Sequence, residues 1–270
     1  MTRFFSSYLL FLLLALIFAV CAAAKYYKES SARERIGGDA VIVQQNTPPD
    51  LGIFTFMSMN AAVKSEVITL DVKARAAETE DRAESEPKSV ALKVIDRQYP
   101  LYGNFSLTNK TRPLTFASYA LGKLQGAAVS REFLRALSLD PGEVFMIGNT
   151  AFLITAVIIS EPDLPPHQAG QPRVIISNRA FDSLIKQGMH FNTPLTYEVR
   201  VKTPANADID AWKESFDGLF KASGWQSTIW TEQVASPLLY VKMPFLLALS
   251  GFFFLAAMVQ YVLRKKRAAK

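Results

Sequence analysis

The sequence predicts an α+β domain held between two transmembrane helices, and three features predict that arrangement. Two apolar runs with no charged side chain, Phe4–Ala24 and Met243–Leu263, bracket the chain. Between them, short segments rich in β-branched residues alternate with stretches of helical spacing. All 24 acidic residues fall within 25–242, whereas six basic residues (Arg3, Arg264, Lys265, Lys266, Arg267 and Lys270) lie outside it.

Each apolar run has roughly 20 residues, which at about 1.5 Å per residue spans a hydrocarbon core of about 30 Å. The basic tail after Leu263 and Arg3 near the start place both termini in the cytoplasm by the positive-inside bias. The long central segment then lies on the far side of the membrane. It is formally neutral, so the whole +6 excess belongs to the ends. Nucleic-acid binding, which needs a basic patch on the folded domain, is not expected. Ala22-Ala23-Ala24 also suits a cleavable secretory signal, but the run is longer than the usual apolar region of about 7–15 residues, which favours an uncleaved anchor. Cys21 is the single cysteine. It excludes an internal disulfide and a cysteine-rich metal site.

The elements follow in order. Lys25–Arg35 is polar and free of Gly and Pro, and it extends the first helix as a stalk that Gly37-Gly38 would end. Ala40–Gln44, Glu66–Lys73 and Val90–Asp96 read as strands. In the second, Ile68, Leu70 and Val72 alternate with Val67, Thr69, Asp71 and Lys73. Ala74–Ser89, charged and without a large apolar residue, reads as a flexible acidic loop. Ser130 would cap a helix to Leu137, with Glu132 in its first turn. Asp140-Pro141-Gly142 forms a turn, and Glu143–Ile147 and Thr150–Ile159 form a hairpin across Gly148-Asn149, in a small β-barrel or curled sheet. Arg173–Ser177 is a strand, with Asn178 capping a helix to Gln187. Thr196–Lys202, a helix from Ile209 capped by Asp208 and stopped at Gly224, and Trp225–Thr231 make a β-α-β unit. Trp212, Phe216, Leu219 and Phe220 form that helix's apolar stripe.

The expected organisation is a transmembrane helix over 1–24, a stalk over 25–38, an extracytoplasmic domain over 39–240 with its acidic loop at 74–89, a second transmembrane helix over 241–263 and a basic tail over 264–270.

Gly38-Asp39-Ala40-Val41-Ile42-Val43, the phrase Val90–Leu107 and the stretch Ala127–Asp163 together resemble the extracytoplasmic core domain of MacB/FtsX-type ABC-transporter permeases, in particular the YbbP-like branch. Asp96, Tyr99, Pro100, Leu101, Gly103, Leu137, Leu139, Gly142, Gly148, Phe152, Glu161, Pro162 and Asp163 fit its phrases. The resemblance implies a permease-like subunit in a bacterial inner membrane that acts on hydrophobic or cell-envelope substrate. Its partners would be a separate cytoplasmic ABC ATPase and further permease chains, with a homodimer among the arrangements allowed. The stalk, with Lys28, Glu29, Arg33 and Arg35, would be a coupling rod or simply a spacer, and Glu232–Lys242 the returning rod. Permeases of the family usually carry at least four membrane helices, against two here. The same domain could instead serve as a membrane-anchored envelope scaffold or regulator that transports nothing.

Enzymatic chemistry is not expected. No Gly-x-x-x-x-Gly-Lys-Ser/Thr loop, G-x-S-x-G elbow or H-E-x-x-H spacing occurs, and His167 and His190 are the only histidines. No cofactor or metal is called for. Tyr99, Tyr102, Phe105, Phe116 and Tyr119 are either core or the lining of an apolar groove.

Overall fold

Helix α1 (Thr2–Ile36) runs unbroken from the apolar run into the polar stretch after it. Its end is set by glycine: Gly37 takes φ 75°, and the Gly37 and Gly38 amides donate back to the Glu34 and Arg33 carbonyls. A left-handed glycine at this position is the common way to satisfy the last helical carbonyls. The computed structural model describes residues 2–80, 83, 85–108, 120–121, 124–234 and 241–268. Arg33–Trp230 form one unit, and Met1–Ala32 with Thr231–Lys270 form another.

In the terminal unit, α1 meets a C-terminal helix (Met243–Ala268). The Phe253 ring stacks on Phe18 and Phe11 at 5.6 and 6.2 Å, and the Ser250 hydroxyl donates to the Ala15 carbonyl at 3.1 Å. Leu13, Leu16 and Val20 on one helix and Phe252, Leu255 and Met258 on the other are exposed. Leu9–Ile36 and Met243–Leu263 are long and apolar enough to cross a membrane. Tyr26 and Tyr27, exposed directly after the apolar run, suit the boundary between hydrocarbon and water.

The domain is α+β, built on one mixed sheet. Its strands are β1 (Ala40–Gln45), β2 (Val63–Ala76), β3 (Lys88–Ile95), β4 (Ser106–Leu107), β5 (Ala120–Leu121), β6 (Leu124–Val129), β7 (Val144–Ile147), β8 (Thr150–Ser160), β9 (Arg173–Ser177), β10 (Thr196–Lys202) and β11 (Gln226–Ile229). Its helices are α2 (Leu51–Asn60), α3 (Arg131–Leu137), α4 (Asn178–Lys186) and α5 (Ile209–Phe220), and the C-terminal helix is α6. The main path is β11-β1-β10-β2-β3-β9-β6-β8-β4.

Part of the sheet turns back on itself. Pairing runs β2–β3–β9–β6–β8–β7 and returns to β2, because β7 joins both β8 and β2. Each of these six strands buries residues in one shared cluster: Leu70, Leu92, Val174, Val129, Ile154 and Phe145 are examples. Phe133 of α3 and Phe181 of α4 join it. The hairpin of β7 and β8 closes across Gly148-Asn149 with Ile147 opposite Thr150, and Gly148 supplies the positive φ of 56° that its tight loop needs. A second cluster lies under α2 and α5 on β1, β10 and β11, where Phe56 packs edge-on against Trp212, Phe216 and Phe220. Strands β10 and β11 both run antiparallel to β1, so the β-α-β unit is split by the chain's first strand.

Several expectations need correction. Helix α2 has no counterpart in the sequence reading. The acidic loop is shorter than 74–89, because β2 continues to Ala76 and β3 begins at Lys88. Ala74 and Ala76 are fully buried opposite Ile147 and Phe145, whose bulk fills the space that small side chains leave. The cap of α4 is Ser177, which accepts from the Ala180 amide, not Asn178. Leu219 is 66% exposed and falls outside the apolar stripe. Trp230–Gln233 is a 3-10 turn rather than strand or rod, and 235–240 of the returning segment lie outside the described residues.

Phe152 is fully buried between Phe145 and the rest of its cluster. Phe152→Ala should lower stability by about 3–5 kcal/mol, whereas Leu219→Ala should change it by less than about 0.5 kcal/mol. Thermal unfolding of the full chain in detergent separates the two.

Candidate functional site: a buried charge cluster and a helix-end joint

Strand alternation creates the first feature. Leu92 and Val94 of β3 face the closed circuit, so Lys93 between them points to the opposite face. Val199 and Val201 of β10 face the second cluster, so Arg200 also points away from it. Both cations reach Asp163, in the segment after β8. Lys93 Nζ lies 2.8 Å from each Asp163 carboxylate oxygen and 2.8 Å from Glu161 Oε1, and Arg200 Nη1 also contacts Asp163. Arg200 Nη2 holds Glu198 at 2.7 Å, and Arg173 Nε holds Glu161 at 3.3 Å. The Tyr99 hydroxyl donates to Asp163 at 2.5 Å. The charged groups, without Tyr99, line a cavity of about 450 Å³, which Arg35 and Asp71 also reach.

Three cations meet three carboxylates, so the cluster is neutral. Burial pushes the Asp163 pKa up, but the Arg200 and Lys93 charges outweigh it and hold the carboxyl well below its usual range. Burial, then the Asp163 and Glu161 charges, push Tyr99 well above the usual phenol. Burial alone would lower the Arg200 pKa, and Asp163 and Glu198 more than reverse that. At neutral pH Asp163 is therefore an ionised acceptor and Tyr99 a protonated donor. Neither is poised to exchange a proton with a substrate, so the arrangement is a structural brace and not an acid–base pair.

The structure joins two phrases that the sequence carries far apart. Asp96 accepts from the Ser65 hydroxyl and from the Glu66, Gln98 and Tyr99 amides, which fixes the turn leading to Tyr99. The Tyr99–Pro100 peptide is cis, and Pro100 and Leu101 are half-buried. Gly103, at φ 79°, lies against the phrase Glu161-Pro162-Asp163: an added Cβ would sit 2.4 Å from Pro162 Cβ and 2.7 Å from Glu34 Cγ. Tyr99 and Phe105 are core, packed edge-on at 5.6 Å, while Phe116 and Tyr119 lie outside the described residues. Gly142 and Gly148 serve elsewhere. Gly142 follows the Asp140 turn with φ 94°, and Gly148 sits in the hairpin loop, its carbonyl accepting from Arg75.

The second feature is the joint at the end of α1. Asp39 is buried and uses every polar atom it has. Its amide donates to the Val201 carbonyl and its carbonyl accepts from the Trp230 amide. Its carboxylate pairs with Arg33 Nε at 2.8 Å and accepts from the Tyr102 hydroxyl and from the Thr203 amide and hydroxyl. Burial and the Asp39 carboxylate push the Tyr102 pKa up to about 12. Of the stalk residues, Arg33 thus joins the domain and Arg35 reaches the cavity. Lys28 is exposed, and Glu29 pairs with Lys25 at 2.6 Å in the terminal unit. The sequence reading included Asp39 only within a phrase and passed over Lys93, Arg200 and Tyr102 as charge-carriers or partners. An isolated cation inside an apolar run was the available signal for Lys93, whereas Arg200 alternates with Glu198 and Lys202 on an ordinary polar face of its strand.

No family model matches the sequence, and no curated protein does. Among solved structures, the domain is similar to the periplasmic region of MacB from Actinobacillus actinomycetemcomitans, with a TM-score of 0.44 at 9% identity over 74% of this chain and 93% of that one. It is also similar to the extracellular domain of the ABC-type transporter YknZ from Gram-positive bacteria, with a TM-score of 0.40 at 14% identity over 69% of this chain and 99% of that one.

Removing one partner of a balanced buried cluster leaves a charge uncompensated, which costs about 3–5 kcal/mol. Asp163→Asn should show that loss in thermal unfolding at pH 7. Because the folded-state pKa is depressed, the stability Asp163 contributes is complete above the unfolded carboxyl value of about 3.9. It is lost as pH falls from there through the folded value, so the wild type and the variant should converge only in acid. Gly103→Ala, strained by both φ and contact, should cost at least about 2 kcal/mol in the same assay.

Proposed function

We propose that this chain is a permease-like membrane subunit of the MacB/FtsX type, in its YbbP-like branch. In this reading it works with a separate cytoplasmic ATPase and further permease chains on hydrophobic or cell-envelope substrate. Both termini would lie in the cytoplasm and the α+β domain outside the inner membrane.

The observation that carries the reading is α1, a single helix that begins in an apolar segment of membrane-spanning length and ends inside the domain's own hydrogen-bond network. An unbroken helix can carry displacement from a membrane segment into an extramembrane domain. The phrases from Asp96 to Gly103 and from Glu161 to Asp163 add sequence resemblance, and their meeting around Asp163 and Pro162 gives them a shared structural task. The neutral, self-satisfied charge cluster fits a domain that transmits or positions rather than one that catalyses.

The test is purification of the tagged full chain from native membranes in mild detergent. Co-elution of an ABC-type ATPase is the expected result. Elution with no nucleotide-binding partner would overturn the transport reading and favour the envelope scaffold. In the co-purified assembly, Ser31→Pro breaks α1 within the stalk at a cost of about 3 kcal/mol or more. The ATPase should remain bound in that variant while its rate loses its dependence on the chain, a several-fold change in turnover.

A further inference from the structure

The compact domain begins at Arg33 and ends at Trp230, and these two residues touch. The Arg33 guanidinium carbon lies 4.4 Å from the Trp230 ring centroid and 6.0 Å from that of Tyr102. The same guanidinium is ion-paired with Asp39, whose carbonyl accepts from the Trp230 amide at 3.0 Å. The cation is thus held by charge on one side and by an aromatic face on the other. Tyr102, which also takes Lys202 Nζ over its ring at 5.3 Å, holds Asp39 in turn through its hydroxyl.

We infer that Arg33, Asp39, Tyr102 and Trp230 form a clasp that fastens the domain's entry to its exit, so that the two segments continuing towards the membrane helices leave from one fixed point. Three observations make the joint stiff. Asp39 is tied through its backbone to β10 on one side and to the residue after β11 on the other. Gly38 has no room for a side chain, since a Cβ would lie 2.6 Å from the Ala40 carbonyl oxygen and 2.9 Å from that of Val201. Gly37 is closed against the Arg200 side chain, with Nη1 2.8 Å from where its Cβ would be. The glycine pair is therefore a place of close approach, where backbone and the Arg200 side chain take the space of a side chain. Arg33 is the residue that no lysine replaces fully, because a planar guanidinium can lie on an indole face while its edge meets a carboxylate. The clasp stands whether or not an ATPase drives the chain; the transport reading supplies its use, which is that a pull on α1 reaches the other connection directly.

Hydrogen–deuterium exchange on the full chain in detergent or lipid nanodiscs tests this without any transport assay. Arg33→Ala and Asp39→Asn should each raise exchange about tenfold at both ends together, over 37–39 and at Trp230, as expected for losing an ion pair and a cation–π contact worth about 1–2 kcal/mol. Peptides from β2 and β3 should keep their protection. Arg33→Lys should give an intermediate increase at both ends. Loosening of one end alone, or of neither, would overturn the clasp. If Arg33→Ala or Asp39→Asn also exposes β2 and β3, Tyr102→Phe decides, since it removes a single hydroxyl from Asp39: a smaller rise at both ends supports the clasp, and an unchanged exit end rejects it.

Discussion

The Asp163 carboxylate is the point on which the architecture of the domain depends. Lys93 reaches it from β3, Arg200 from β10 and Tyr99 from the turn after β3. Strand β3 belongs to the closed circuit, and β10 to the open sheet beneath α2 and α5. Strand β2 joins those regions through its backbone by pairing with both strands, and Asp163 joins them again through side chains. Such a cluster contributes little net stability compared with apolar packing, because desolvation offsets most of the attraction. What it can impose is register. A one-residue slip of β10 would turn Arg200 into the cluster that now buries Val199 and Val201, and a slip of β3 would put Lys93 among Leu92's neighbours. Each error would bury an unpaired cation, so the ionic cluster and the apolar clusters specify the same alignment.

Much of this was legible in sequence where one period dominates. Trp212, Phe216 and Phe220 share a helix face, and all three pack on Phe56. The hairpin at Gly148-Asn149 follows from two β-rich runs and a glycine. What escaped detection has physical reasons. Helix α2 is apolar at Leu51, Ile53, Phe54, Phe56, Met57 and Met59, so no polar face gives it a period. Ala74 and Ala76 looked like loop because their burial depends on Phe145 and Ile147, supplied by a strand far along the chain. Ser177 and Asn178 are both good capping residues, and propensity does not choose between neighbours.

The candidate site shows the same limit more sharply. Alternation states that Lys93 and Arg200 point away from the apolar faces, but not whether water lies there. The cover comes from the turn of Asp96 to Gly103, which follows Lys93 closely but lies far from Arg200, and from Glu161 to Asp163, which is distant in sequence from both cations. The resemblance carried both phrases but not the reason for them. Tyr99 must donate to Asp163, and Gly103 must be small and left-handed to lie on Pro162.

The charge cluster and the helix-end joint are also physically one body. Arg200, which braces Asp163, is the side chain that fills the space beside Gly37, and Val201 next to it receives the Asp39 amide. The last turn of α1 therefore rests on the strand that carries the buried cation. A helix passes axial displacement to a domain only if its end cannot yield, and a glycine pair would ordinarily be the weak place. Here neither glycine has room for a side chain: backbone from β1 and β10 closes on Gly38, and a guanidinium already anchored by two carboxylates closes on Gly37. Burying those charges thus has a consequence beyond register. It sets the Arg200 guanidinium beside Gly37, directly after the last turn of α1.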